Sequence, residues 1–142
     1  KGEIKNDINK EKNDINKEKN DINKYKGIHI HVPTASTPKD GPSAGGAICI
    51  ALYSHLTGIP IKTDVSMTGE MDLRGNIGAI GGLYAKLHGA KKAKIKTAII
   101  PYDNLEQLER IRKDKRSPED KNFNIILVKN IKDVLDIVLF NK

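Results

Sequence analysis

The sequence predicts an α/β domain of layered strands and helices. Short apolar strands alternate with amphipathic helices from residue 27 onward, and glycine or proline punctuates most of the junctions between them. The apolar content also becomes that of a domain with a core once the first 26 residues are set aside. Hydrophobic residues make up 37% of the 142 and aromatics 4%, with no tryptophan. Residues 1–26 account for much of that deficit, with four isoleucines and one tyrosine among Lys, Asn, Asp, Glu and Gly. Two segments are therefore expected: a low-complexity Asn/Lys-rich stretch over 1–26 and a folded domain over 27–142.

The first segment contains the repeat KNDINKE, KNDINKE, KNDINKY over residues 5–25. A period of seven suggests a coiled coil, with Ile8, Ile15 and Ile22 on one stripe. One apolar residue per heptad gives only half a seam, however, and asparagine is a poor helix former. Disorder is the expectation.

The folded part opens with Ile28-His29-Ile30-His31-Val32, whose alternation predicts a strand with both histidines on one face, ended by Pro33. A loop leads to Gly41-Pro42-Ser43, and Ser43 to Thr57 reads as a helix with Ser43 as its N-cap. Gly58 and Pro60 close that helix. Asp64–Thr68 is a strand, Gly69-Glu70 a turn, and residues 71–80 form a short hairpin broken by Gly81-Gly82. Leu83–Lys92 is helical and carries Lys86 one turn in. Thr97–Ile100 is a buried strand ended by Pro101. A short helix then runs from an Asp103 or Asn104 cap through Leu105, Leu108 and Ile111, and a charged loop covers 112–122. Ile125–Val128 is a further strand, and Ile131–Phe140 is an amphipathic helix.

The formal charge of +7 is spread along the chain. Residues 1–26 carry eight lysines and six acids, which leaves 17 bases against 12 acids for the remainder. There is no aromatic–basic interleaving of a nucleic-acid surface. The single cysteine, Cys49, excludes an internal disulfide framework and sits in an apolar helical run as a small hydrophobe. No apolar run approaches the ~20 residues of a membrane-spanning helix. The chain opens inside its repeat without a methionine, as a piece of a longer protein would.

Chemistry concentrates at two turns. Ser43 follows a Gly-Pro turn and precedes Ala44, Gly45 and Gly46, so little bulk surrounds its hydroxyl. A serine hydroxyl attacks only when a base takes its proton. His55 lies twelve residues along the same helix, roughly 18 Å away at 1.5 Å per residue, too far to serve. His29 and His31 at i and i+2 have no third ligand at metal-site spacing and read as a polar strand face. A neutral lysine is the other general solution. Lys86 suits it, placed among Leu83, Ala85, Leu87 and Ala90 after a Gly-Gly turn whose amides could face an oxyanion. The competing interpretations are an ordinary N-cap for Ser43 and a snorkelling stem for Lys86.

HIHVP, PKDGPSAG, MTGE-x-x-LRG and IGGL-x-x-KL, in this order and spacing, resemble the proteolytic domain of the ATP-dependent Lon protease family over about Gly27–Phe140. The resemblance implies the ribosomal protein S5 domain 2-like fold, without its first strands in this chain. It implies that Ser43 is the nucleophile and Lys86, forty-three residues later, the general base. Thr68 corresponds to the residue that hydrogen-bonds the lysine, Asp40 to an acid before the serine, and His29 and His31 to a strand pair near the site. The backbone of Gly41–Ser43 and Gly81 is the implied oxyanion hole. The sequence departs from the family pattern at Tyr84 and Ala85, where charged residues are usual, and at Ala79, where proline is common.

The implied activity is ATP-dependent serine endopeptidase cleavage of unfolded or damaged proteins, in a ring of six identical subunits. ATP and Mg would be bound by an ATPase domain outside this chain, because no GxxxxGK[ST] loop occurs here, and no cofactor or metal is expected in this segment. The alternatives are a non-catalytic Lon-like module that oligomerises or contacts DNA in a repair ATPase, and an ATP-independent Lon-like peptidase. The Asn/Lys-rich repeat favours a eukaryotic insertion and hence the mitochondrial matrix, with a bacterial cytoplasm as the other compartment.

Overall fold

The computed structural model describes residues 27–31 and 41–140. A 3₁₀ turn over Pro42–Ala44 leads into helix α1 (Gly45–Thr57), followed by strands β1 (Val65–Met67), β2 (Glu70–Met71) and β3 (Ile77–Gly78). Helix α2 (Leu83–Lys92) and strand β4 (Thr97–Pro101) come next. A second 3₁₀ turn (Tyr102–Asn104), α3 (Leu105–Lys113), β5 (Asn124–Val128) and α4 (Ile131–Val138) complete the chain.

The main sheet is parallel with order β1-β4-β5, as strand–helix–strand alternation requires. Ser66 pairs with Ala98, and Ile100 with Leu127. β4 lies in the centre, and its apolar run Ala98-Ile99-Ile100 is buried on both faces. Alternation sends Ala98 and Ile100 to one core, with Leu83 and Leu87 of α2, Leu108 of α3 and Phe123. Ile99 goes to the other, with Ile50 of α1, Val128, and Val134 and Val138 of α4. Two helices thus cover each face, which is the layered α/β arrangement expected.

Local signals set several boundaries where the sequence predicts them. Gly58 adopts φ 70° and its N–H donates to the Ser54 carbonyl at 2.9 Å, closing α1. α4 opens with a reciprocal cap: Asn130 Oδ1 accepts from the Lys132 amide at 3.1 Å, and Asp133 Oδ2 accepts from the Asn130 amide at 3.1 Å. β2 and β3 pair antiparallel, Glu70 with Gly78 and Met71 with Ile77, as a shorter hairpin than expected. Asp72 tightens it by accepting from the Arg74 and Asn76 amides at 2.8 and 2.9 Å.

Four expectations are corrected. Gly27–His31 is exposed and pairs with neither sheet among the described residues, and Val32, the end of the expected strand, lies outside them. Glu70 belongs to β2 and not to a turn, since its backbone pairs with Gly78. Arg112 and Lys113 extend α3 beyond the expected loop start; Arg112 is held there by Glu109 one turn back and by Glu119. Ser43 is not an N-cap: it sits within the 3₁₀ turn, and neither that turn nor α1 has a side-chain cap. The repeat over 1–26 and Asp40 lie outside the described residues.

Candidate active site

The turn that presents Ser43 is built by its neighbours. Gly41 enters with φ 106° and ψ 157°, a backbone state closed to most side chains, and Pro42 fixes the first position of the 3₁₀ turn. The Ser43 carbonyl then accepts two hydrogen bonds from the link between β1 and β2, from the Gly69 amide at 2.9 Å and from Thr68 Oγ1 at 3.4 Å. The Gly46 amide returns one to the Gly69 carbonyl at 3.2 Å. A Cβ on Gly46 would lie 2.2 Å from Met67 Cε, so glycine leaves room for the end of the Met67 side chain. The collar read as clearance for the hydroxyl serves the packing of that side chain as well.

Thr68 follows the carboxyl end of β1, and its amide extends the ladder by donating to the Ile99 carbonyl at 3.1 Å. The outer carboxyl ends of parallel strands are where open α/β sheets place their ligands. Lys86 arrives from the other side, on the first turn of α2, where its amide donates to the Gly82 carbonyl at 3.1 Å. The flanking Leu83 and Leu87 are 0% and 1% exposed and anchor the helix in the core, leaving the Lys86 stem half-buried along the edge. The Lys86 amine donates to Thr68 Oγ1 at 3.3 Å. One hydroxyl therefore accepts from the lysine and donates to the serine's carbonyl, within the capacity of a threonine.

Ser43, Thr68 and Lys86 line one cavity of about 380 Å³. Its remaining walls are largely apolar, among them Met67, Leu87 and Ala98. Ser66 also lines it. Sequence reasoning missed Ser66, although its position two residues before Thr68 puts both side chains on one face of the strand. A smaller apolar cavity of about 180 Å³ adjoins through Ala47, Ser66 and Met67.

Other expected residues stand apart. Gly81 is exposed and does not line the cavity. Exposed His29 and His31 are likewise outside the lining. His55 is in the last turn of α1, away from the turn holding Ser43. His88 packs on Tyr84, with ring centroids 4.3 Å apart, and the Arg116 guanidinium lies 4.4 Å from the Tyr84 ring centre. Among the described residues no group of three or more His, Cys, Asp or Glu side chains could hold a metal ion, and no helix is long and apolar enough to cross a membrane.

Comparison with known proteins gives a consistent result. The family described as the Lon protease (S16) C-terminal proteolytic domain matches residues 4–141. A Lon protease of Buchnera aphidicola (subsp. Baizongia pistaciae) is 52% identical over 114 residues, which is 80% of this chain and 14% of that protein. Lon proteases of Haemophilus influenzae and Escherichia coli are 51% and 49% identical over 116 and 117 residues, 80% and 81% of this chain and 14% of each relative. The chain thus spans about a seventh of the length of these relatives, 14% in each case. All of them are bacterial, so they lend no support to the mitochondrial expectation.

Proposed function

This chain belongs to the Lon protease C-terminal proteolytic domain family, and from that premise we propose that it cleaves peptide bonds with a serine–lysine dyad, Ser43 and Lys86. The observation that carries the proposal is the Lys86 amine hydrogen-bonded to Thr68 Oγ1 at 3.3 Å, at a cavity that Ser43 also lines.

In this mechanism Ser43 Oγ attacks the scissile carbonyl while the neutral Lys86 amine takes the serine proton. Collapse of the tetrahedral intermediate breaks the C–N bond, and Lys86 returns the proton to the leaving amine. Water then enters, gives a proton to Lys86 and attacks the ester; the proton returns to Ser43 as the acid departs. Thr68 holds the lysine by one of its hydrogens and leaves the nitrogen lone pair free for the serine. The negative oxygen falls to backbone amides at the Ser43 turn. Pro42 has no N–H, so the donors that Gly41–Ser43 can offer are the amides of Gly41 and Ser43. In this proposal Asp40 supports the serine from the preceding loop, and Gly81, exposed and outside the cavity lining, takes no part.

The apolar walls suit substrates that expose apolar side chains, which unfolded or damaged proteins do. The attached partner in this proposal is an ATPase domain outside this chain that binds ATP and Mg and delivers the polypeptide, in a ring of identical subunits. We assign no step to those groups, and read the layered sheet as the S5 domain 2-like fold.

The test is peptide cleavage by the intact protein. Ser43→Ala and Lys86→Ala should each reduce turnover by on the order of a thousandfold or more. Near-normal turnover in Lys86→Ala would end the dyad proposal.

A further inference from the structure

Asn104 is the only buried polar residue among those described, at 4% exposed. It was expected as a helix cap, yet neither the 3₁₀ turn ending at Asn104 nor α3 has a side-chain cap bond. Its amide instead faces the main chain of Ile80, 24 residues earlier. Asn104 Oδ1 accepts from the Ile80 amide at 3.0 Å, and Nδ2 donates to the Ile80 carbonyl at 2.9 Å. A third bond, from Nδ2 to Gln107 Oε1 at 3.0 Å, fixes the amide plane. The side chain thus imitates a strand partner for a single residue, satisfying a donor and an acceptor that are costly to leave unpaired in the core.

Ile80 occupies a strategic place. Two residues on, Gly82 takes φ 68° as the residue that caps the start of α2, and its carbonyl accepts the first helical bond from the Lys86 amide. Any tilt of that start is carried to the end of the lysine's four-carbon stem. The Lys86–Thr68 bond, at 3.3 Å, is already near the outer limit for a hydrogen bond, so a few tenths of an ångström would open it.

We infer that Asn104 is a positioning residue for the dyad, its amide clamping Ile80 so that α2 starts where Lys86 reaches Thr68. The inference rests on the serine–lysine mechanism above and specifies what sets its geometry. An amide fits the clamp at any pH, because one end accepts and the other donates without taking up a proton.

The test uses the intact protein and a peptide phosphonate that labels Ser43, followed by mass spectrometry, alongside kcat and KM on a fluorogenic peptide. Asn104→Asp keeps the acceptor and the shape but, once ionised, turns an acceptor toward the Ile80 carbonyl, so its rates are compared across pH to separate the ionised from the protonated carboxyl. Labelling of Ser43 should slow on the order of 10- to 100-fold, with kcat falling in step and KM nearly unchanged. The slowing should persist at temperatures where thermal unfolding shows the variant fully folded, which a loss of folded protein alone would not produce. Should Asn104→Asp not fold, Asn104→Ser, which keeps one small donor, should show the same slowing to a lesser degree. Wild-type labelling rates in whichever variant folds would overturn the inference. The dyad itself is checked separately: failure to label Ser43 in the wild type, or wild-type labelling in Lys86→Ala, would remove the mechanism on which the clamp depends.

Discussion

Lys86 reaches Thr68 across the mouth of the sheet, its amine 3.3 Å from a hydroxyl that also touches the carbonyl of Ser43. The bond joins the first turn of one helix to the turn that opens another, through the end of β1. Removing the hydroxyl while keeping the shape isolates its contribution. Thr68→Val should lower kcat on the order of 10- to 100-fold with little change in KM, because the lysine loses its orientation and the substrate cavity does not. Thr68→Ser should retain most of the activity. Steady-state kinetics of the two variants decide the matter.

Gly69 sets how closely the Ser43 turn sits on the strand, through the 2.9 Å bond from its amide to the Ser43 carbonyl. A Cβ there would lie 2.5 Å from Ile77 Cγ2, a branched side chain that is 3% exposed and has nowhere to move. Gly69→Ala should therefore cost about 2 kcal/mol of stability through overpacking. The same change should cost much less in an Ile77→Ala background, where the methyl it meets is gone. Urea unfolding of the four proteins measures that coupling, and additive costs would show that the strain lies elsewhere.

Glu119 gives the fold a pH-dependent tie. Arg112 donates to its carboxylate through Nε at 2.7 Å and Nη2 at 2.5 Å, and Ser117 Oγ donates at 2.8 Å. These bonds, that of Arg112 foremost, hold the Glu119 carboxyl below its ordinary value of 4.5. A carboxyl depressed by folding contributes stability above its unfolded value, and that contribution is lost as pH falls through the lower folded value. Glu119→Gln should therefore cost about 1 kcal/mol at pH 7, the scale of a partly exposed pair. The difference from wild type should close below pH 4.5 as the native carboxyl takes up its proton. Thermal unfolding across that range checks both the size and the sign.

The parts of this fold that were legible in the sequence are those set by near neighbours. α2 spans Leu83–Lys92 as predicted, because a Gly-Gly turn starts it and the apolar positions Leu83 and Leu87 recur on one face. β4 and β5 were visible as short apolar runs. The positions of Ser43, Thr68 and Lys86 at one cavity follow from motifs quoted in the sequence, but the bonds joining them span 18 to 26 residues and carry no local signal. The same applies to Asn104, whose short polar side chain suits a helix cap as well as it suits Ile80. The histidine pattern before Pro33 shows the converse: its alternation is evident in the sequence, yet Ile28–His31 pairs with no strand among the described residues.

Ala47 offers a way to ask what the cavity recognises. It stands one turn beyond Ser43 on α1 and lines both the larger cavity of about 380 Å³ and the smaller one of about 180 Å³. A larger apolar side chain there has empty volume to enter, so the fold should tolerate it better than at a filled core position. If the substrate's side chain beside the scissile bond occupies this space, Ala47→Leu should penalise bulky residues selectively. The expected loss in kcat/KM is on the order of tenfold for peptides with leucine or phenylalanine at that position, the range one or two methylenes command in an apolar pocket. Peptides with alanine there should be cleaved at nearly the wild-type rate. An equal loss for every peptide would mean that Ala47→Leu disturbs the Ser43 turn and that side chains are selected elsewhere.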